Sequence, residues 1–164
     1  RQRQMCIRDR VDLTQPLTFT FPSSPDVMVL ADVLEHVPQP EDCLTRLCQQ
    51  YLPPETPIII SLPNVAHLYV RLSLLMGRFE YADRGLLDRT HLRFFTVTSA
   101  IKMVEACNIQ VNAIAAPPVP LPLVHSAFAE GQLLWRLHAC NAYLAQLFKS
   151  LLGYQVIIYG TYRR

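Results

Sequence analysis

Along the chain the apolar positions switch between two rhythms, and each switch marks an element. Residues 27–31 (VMVLA) are apolar at every position and stop at Asp32, as expected of a strand covered on both faces in a parallel sheet. Residues 40–52 place Leu44, Leu47, Cys48 and Tyr51 on one helical face, behind a first-turn proline and the acids Glu41 and Asp42, which suit the positive end of a helix. Pro53 and Pro54 end that helix, and residues 57–62 (PIIISL) form a second uninterrupted apolar run. Val65, Leu68, Leu72, Leu75 and Met76 return to the helical period, which Gly77 stops.

Residues 78–95 (RFEYADRGLLDRTHLRFF) are charged and aromatic without a period, and a loop of that length in a compact domain is usually functional. It reads as a lid or substrate-facing insertion, against a purely structural surface loop. Thr96 is an N-cap for a helix to Cys107 with Val97, Ile101 and Val104 inward, and Asn108 takes the left-handed stop. Ile109, Val111 and Ala113 alternate with polar residues as in a half-exposed strand. After the stiff segment 116–122 (APPVPLP), residues 126–152 form a long amphipathic helical region and 154–159 (YQVIIY) a last strand. The apolar face of 126–152 is most simply core; a homodimer or membrane-surface contact is the sharper alternative.

Composition narrows the class. The chain has 164 residues with 51% hydrophobic and 17% charged, one domain's worth of globular sequence. Its net charge of +2 comes from the first ten residues, where Arg1, Arg3, Arg8 and Arg10 face only Asp9; no basic surface for nucleic acid follows. Residues 1–10 have no period of their own and are set aside as a non-native leader, leaving 11–164 as the C-terminal part of a single domain. The five cysteines show no paired spacing, which points to reduced thiols and a cytoplasmic protein. No apolar run approaches the roughly 20 residues of a membrane span.

Chemistry concentrates where the first strand ends. In open parallel sheets ligands collect beyond the carboxyl ends of the strands, and Asp32, Glu35 and His36 fall there. His36, just past the strand end and of the side-chain type most often used as a general base, is the best-placed one; a structural hydrogen bond ordering the loop is the plainer alternative. His67, His125 and His138 have no converging partner and read as structural.

Three stretches in order, ADVLEHV (31–37), SLPNVAHL (61–68) and GLLDRTHLRFFT (85–96), resemble the later half of class I S-adenosylmethionine-dependent methyltransferases, in the small-molecule subgroup. The resemblance implies an α/β fold: a Rossmann-like sheet with helices on both faces, lacking the first three strands, closed by an antiparallel C-terminal hairpin that here carries a helical insertion. The missing strands would hold the glycine-rich turn, and none of the five glycines stands in a GxGxG arrangement. It further implies S-adenosylmethionine as cofactor, with Ala31, Asp32 and Leu34 lining its pocket, and a small-molecule acceptor beside Pro63, Asn64, Arg89 and Arg93. His91 becomes the second candidate base. Arg84, Arg89 and Arg93 would receive an acidic group, unless they pair with acids such as Asp83 and Asp88.

A divalent cation held by Asp32, Glu35, His36 and His91 is the sharper alternative to a metal-free site; that set is similar to the metal-dependent small-RNA 2′-O-methyltransferases and, in part, to the quinone-biosynthesis O-methyltransferases. A non-catalytic methyltransferase-like scaffold is the alternative to an enzyme. A nicotinamide-dependent oxidoreductase is disfavoured, because ADVLEHV and DRTHLRFFT have no place in its pattern.

Overall fold

The computed structural model describes residues 11–21, 23–119 and 132–164. Segment 1–10 and the first part of the 126–152 region therefore lie outside the described residues. The elements run β1 (Met28–Ala31), a 3-10 turn (Leu34–His36), α1 (Pro40–Tyr51), β2 (Pro57–Pro63), α2 (Leu68–Leu75), α3 (Val97–Ala106), β3 (Ile109–Ala115), α4 (Gln132–Leu147), α5 (Lys149–Leu152) and β4 (Gln155–Tyr162).

The four strands form one sheet in the order β1-β2-β4-β3. β1 and β2 are parallel, with Ala31 beside Ser61, and α1 is the crossover that a parallel pair requires. β4 runs antiparallel to both neighbours, so β3 and β4 make the expected C-terminal antiparallel pair with α4 and α5 inserted between them. The alternation expected through Ala113 breaks at a bulge between Val111 and Ala113, after which Ile114 packs on the core.

Side-chain period decides which face is covered. Ile58, Ile60 and Leu62 of β2 and Val156 and Ile158 of β4 share one face and bury it against Leu44, Leu47 and Cys48 of α1 and Val104 of α3. Each such aliphatic side chain contributes roughly 1.5–3 kcal/mol. The other face is open at β1. Only Leu30 of that strand is buried, and Val29 is 57% exposed, contrary to a run covered on both faces. The reason is positional: α1 lies on the Leu30 side, and among the described residues β1 pairs with β2 alone.

Helix ends follow the sequence cues. Thr96 caps α3 in a reciprocal box with Ser99, and Asn108 (φ = +60°) provides the left-handed stop. After Pro53 and Pro54, Glu55 takes φ = +67°, where its N–H donates to the Tyr162 carbonyl at 2.9 Å and its carboxylate pairs with Arg163. Segment 11–21 is strapped along α1: Arg46 donates to the carbonyls of Leu13 and Gln15, Gln50 to that of Leu17 and the Tyr51 hydroxyl to that of Phe19.

The inserted helices depart from the simplest expectation. Among the described side chains of α4, Ala145 is buried while Trp135, Leu137, Tyr143 and Leu147 are exposed, so the described part of its apolar face is not core. The helix touches the body near its C-terminal end, where the Gln146 amide bonds the Ala116 backbone. Among the described residues no helix is long and apolar enough to cross a membrane.

Candidate active site

Because β1 and β2 are parallel, their carboxyl ends open on the same edge. A cavity of about 260 Å³ lies there, lined by Asp32, Glu35, His36, Pro63, Gly85, Asp88, His91, Tyr154 and Gln155. A larger cavity of about 490 Å³, between α1 and segment 11–21, contains no histidine and no group that the strand ends present. Size therefore does not select the site; the convergence of titratable groups does.

Asp32 leaves the strand with φ = +53°, an uncommon conformation for a side chain of its type outside turns. Its carboxylate is held at both oxygens: Ser61 Oγ donates at 2.8 Å and Gln155 Nε2 at 3.0 Å to each. These two clamping residues were missed from sequence. Ser61 is the polar residue inside an apolar strand and Gln155 the first residue of β4, so the only signal was polarity in an apolar run.

The turn after Asp32 points Glu35 and His36 in different ways. Glu35 is 1% exposed, its Oε2 has no partner among the described residues, and burial raises its carboxyl above the usual range. Its backbone carbonyl accepts the N–H groups of Leu92 (2.8 Å) and Arg93 (3.0 Å), which ties the 85–95 loop to the turn. His36 Nδ1 lies 3.1 Å from the Thr90 carbonyl, and as donor there it leaves Nε2 as the ring's acceptor.

The loop brings His91 to the same place. Asp88 accepts from the backbone N–H and the hydroxyl of Thr90, and the tight turn so formed presents His91 to His36 with ring centroids 4.9 Å apart. Its Nδ1 is buried and unpartnered, and burial, then the neighbouring His36, lower its pKa, so the ring is neutral near pH 7. Ligand atoms of Glu35, His36 and His91 all lie within 4.8 Å of one another. One carboxylate and two imidazoles at that spacing suit a divalent transition ion. Asp32, the fourth member of the expected set, is not in the cluster; its oxygens are engaged by Ser61 and Gln155.

Gly85 shapes the wall: its φ is +99°, and a Cβ there would stand 2.9 Å from the Tyr154 hydroxyl.

The remaining expected residues divide. Ala31 is exposed at the end of β1, next to Asp32, whereas Leu34 is wholly buried in the core beneath the turn, so its side chain does not face the edge as expected. Pro63 lines the cavity. Asn64 is 0% exposed, and its amide donates to the carbonyls of Ser150 (3.1 Å) and Gly153 (2.8 Å) while its Oδ1 accepts from Ala66 N–H, which uses both amide hydrogens within the fold. Arg93 donates twice to the Pro38 carbonyl, and Arg89 pairs with Asp83 at 2.7 Å on the surface. His67 caps α2, its Nδ1 accepting from Tyr69 N–H at 3.2 Å.

No family model and no curated protein matches the chain. Solved structures do. A methyltransferase dependent on S-adenosylmethionine from Archaeoglobus fulgidus superposes with TM-score 0.50 at 16% identity, over 84% of this chain and 59% of its own. One from Thermotoga maritima, described as a possible histamine N-methyltransferase, gives 0.51 at 12% identity, over 88% and 60%. The chain has the class I methyltransferase fold. A third such enzyme, from Mesorhizobium loti, gives 0.50 at 14% identity over 93% and 68%. The chain thus spans about three fifths of the length of the first two structures. Within this methyltransferase fold the parallel pair β1-β2 and the antiparallel β4-β3 are the observed counterparts of the expected later half.

Proposed function

We propose that the chain carries the acceptor side of a site that transfers a methyl group from S-adenosylmethionine to a hydroxyl of a small molecule. The observation that carries this is the convergence of Glu35, His36 and His91, with unsatisfied buried atoms on two of them, at the carboxyl end of a parallel strand pair. The acceptor hydroxyl gives its proton to His36 Nε2 and its oxygen attacks the methyl carbon. The carbon–sulfur bond breaks with its electrons going to sulfur, leaving a neutral thioether. His36 is held for this by the Thr90 carbonyl on Nδ1, and the resulting imidazolium sits beside the Asp32 and Asp88 carboxylates of the cavity wall. Positioning in a dry site supplies most of the rate, with the base adding roughly 10²–10⁴-fold.

The unpartnered Glu35 Oε2 and His91 Nδ1 favour a second reading of the same cluster. Glu35, His36 Nε2 and His91 would hold a divalent cation, which when bound acidifies and orients the acceptor hydroxyl.

Formation of S-adenosylhomocysteine by this protein, from S-adenosylmethionine and a pool of small hydroxylated compounds, tests the reading. Turnover that falls in His36→Ala and His91→Ala with S-adenosylmethionine affinity unchanged supports it. Cofactor binding without turnover against any acceptor supports a methyltransferase-like scaffold instead. Titration with Co(II), followed by visible absorption, separates the two readings: a ligand-field band lost in His91→Ala supports the cation, and its absence in the parent chain leaves His36 as a metal-free base.

A further inference from the structure

α2 is amphipathic in the wrong sense for a helix that packs on a core. Leu68, Leu72, Leu75 and Met76, at the spacing of one helical face, turn outward, and Leu75 is 84% exposed. The buried residue of α2 is Val70, on the opposite side, which packs with Leu86 and Leu87. The C-terminal end of α4 continues the surface with Leu147 and Phe148, 59% and 56% exposed. α2 is tied to α5, which directly follows α4, since Arg71 Nη2 donates to the Ser150 hydroxyl at 3.2 Å.

Charge identifies the occupant. Helices α2, α4 and α5, with the residues just past α2, hold four cations (Arg71, Arg78, Arg136 and Lys149) and no aspartate or glutamate. The next acid after α2 in the chain, Glu80, stands with Tyr69 in a side cavity on the side of the candidate site. Aromatic side chains with polar tips, Tyr69 of α2 and Tyr143 of α4, stand exposed among the aliphatics. Outward aliphatics, interfacial aromatics and helices that carry cations without acids together are the requirements of an anionic bilayer surface, where the apolar face sinks to the acyl boundary and the cations meet headgroups. A protein partner of matching shape would need acids to answer these cations, and a second copy of this chain presents cations there too.

From the outward face of α2, the geometry of the exposed aliphatics and the one-sided charge, we infer that the chain docks on anionic membranes through α2 and the C-terminal end of α4. The surface adjoins the candidate site. A side cavity of about 130 Å³ lined by Tyr69 of α2 shares Gly85 and Tyr154 with the cavity of His36 and His91. Docking would therefore set the site against the lipid.

Co-sedimentation with vesicles tests this, comparing pure phosphatidylcholine with phosphatidylcholine containing one part in three phosphatidylglycerol. The expected result is binding to the anionic vesicles, weak binding to neutral ones, and loss with rising salt. Leu75→Glu and Leu147→Glu, both at exposed positions and checked for native circular dichroism, lower binding roughly tenfold or more. Arg78→Gln lowers it roughly fivefold. No binding to anionic vesicles at low salt, or binding unchanged in the leucine variants, overturns the inference. So does a stable dimer by sedimentation velocity that Leu75→Glu dissociates and that vesicles do not.

Discussion

Asn64→Ala is the substitution whose cost the structure fixes most closely. The side chain is wholly buried and makes three hydrogen bonds, to the Ser150 and Gly153 carbonyls and from the Ala66 N–H. Each is worth about 1 kcal/mol net, and a partner left dry costs about 1 kcal/mol or more, so truncation is expected to cost about 3 kcal/mol or more. That is a large share of the 5–15 kcal/mol of a typical domain. At this chain length it corresponds to a drop of about 6–12 °C in Tm. Asn64→Asp keeps the volume but turns a carboxylate toward two carbonyl oxygens, and is expected to be at least as damaging. Urea unfolding monitored by circular dichroism checks both. A loss below about 1 kcal/mol in both variants refutes the structural role and returns Asn64 to the acceptor side of the site.

Three further outcomes follow from named groups. Thr96→Ala removes the cap and half of the reciprocal box of α3 and is expected to cost about 1 kcal/mol in the same unfolding assay. His67 accepts the Tyr69 N–H as a neutral ring, and burial lowers its pKa from 6.5. A lowered pKa on a base gives stability that is present above 6.5 and lost as pH falls through the folded value, so His67→Asn, which keeps an acceptor, is expected to flatten part of the acid limb of a Tm-against-pH profile. Burial pushes the Cys48 thiol from 9.0 to about 12, so iodoacetamide at pH 8 is expected to label exposed Cys140 and spare Cys48, as read by peptide mass spectrometry.

Much of the fold was legible because its local cues are uninterrupted. The two apolar runs ending at Asp32 and Pro63, the proline-led α1, and the Thr96 cap with its Asn108 stop all appear where the period places them. What the period does not carry is direction. The spacing of Leu68, Leu72, Leu75 and Met76 requires a helix with one apolar face, but an apolar face looks the same whether it meets a core or solvent, and here it meets solvent. The described part of the 126–152 stripe, Leu137, Tyr143 and Leu147, fails as core for the same reason.

The site divides along similar lines. Glu35 and His36 were legible from a strand end, and His91 from the resemblance of its loop. The Ser61 and Gln155 clamp on Asp32 was not, because its partners stand 29 and 123 residues away and only the sheet register joins them. Asn64 and Arg93 look chemically available in sequence. Both Asn64 amide hydrogens and two of the five Arg93 N–H groups go to backbone carbonyls that no local pattern announces.

The central claim is that Glu35, His36 and His91 act as one unit on a methyl acceptor. The most direct measurement is kcat for S-adenosylhomocysteine formation in His36→Ala, His91→Ala and the double variant, with Lys102→Ala, exposed on α3, as a surface control. Residues of one unit lose rate together, so each single variant is expected to fall roughly 10²–10⁴-fold, the double variant to fall little further, and the control to match the parent. Losses that multiply in the double variant, or parent rates in either single one, would contradict the account.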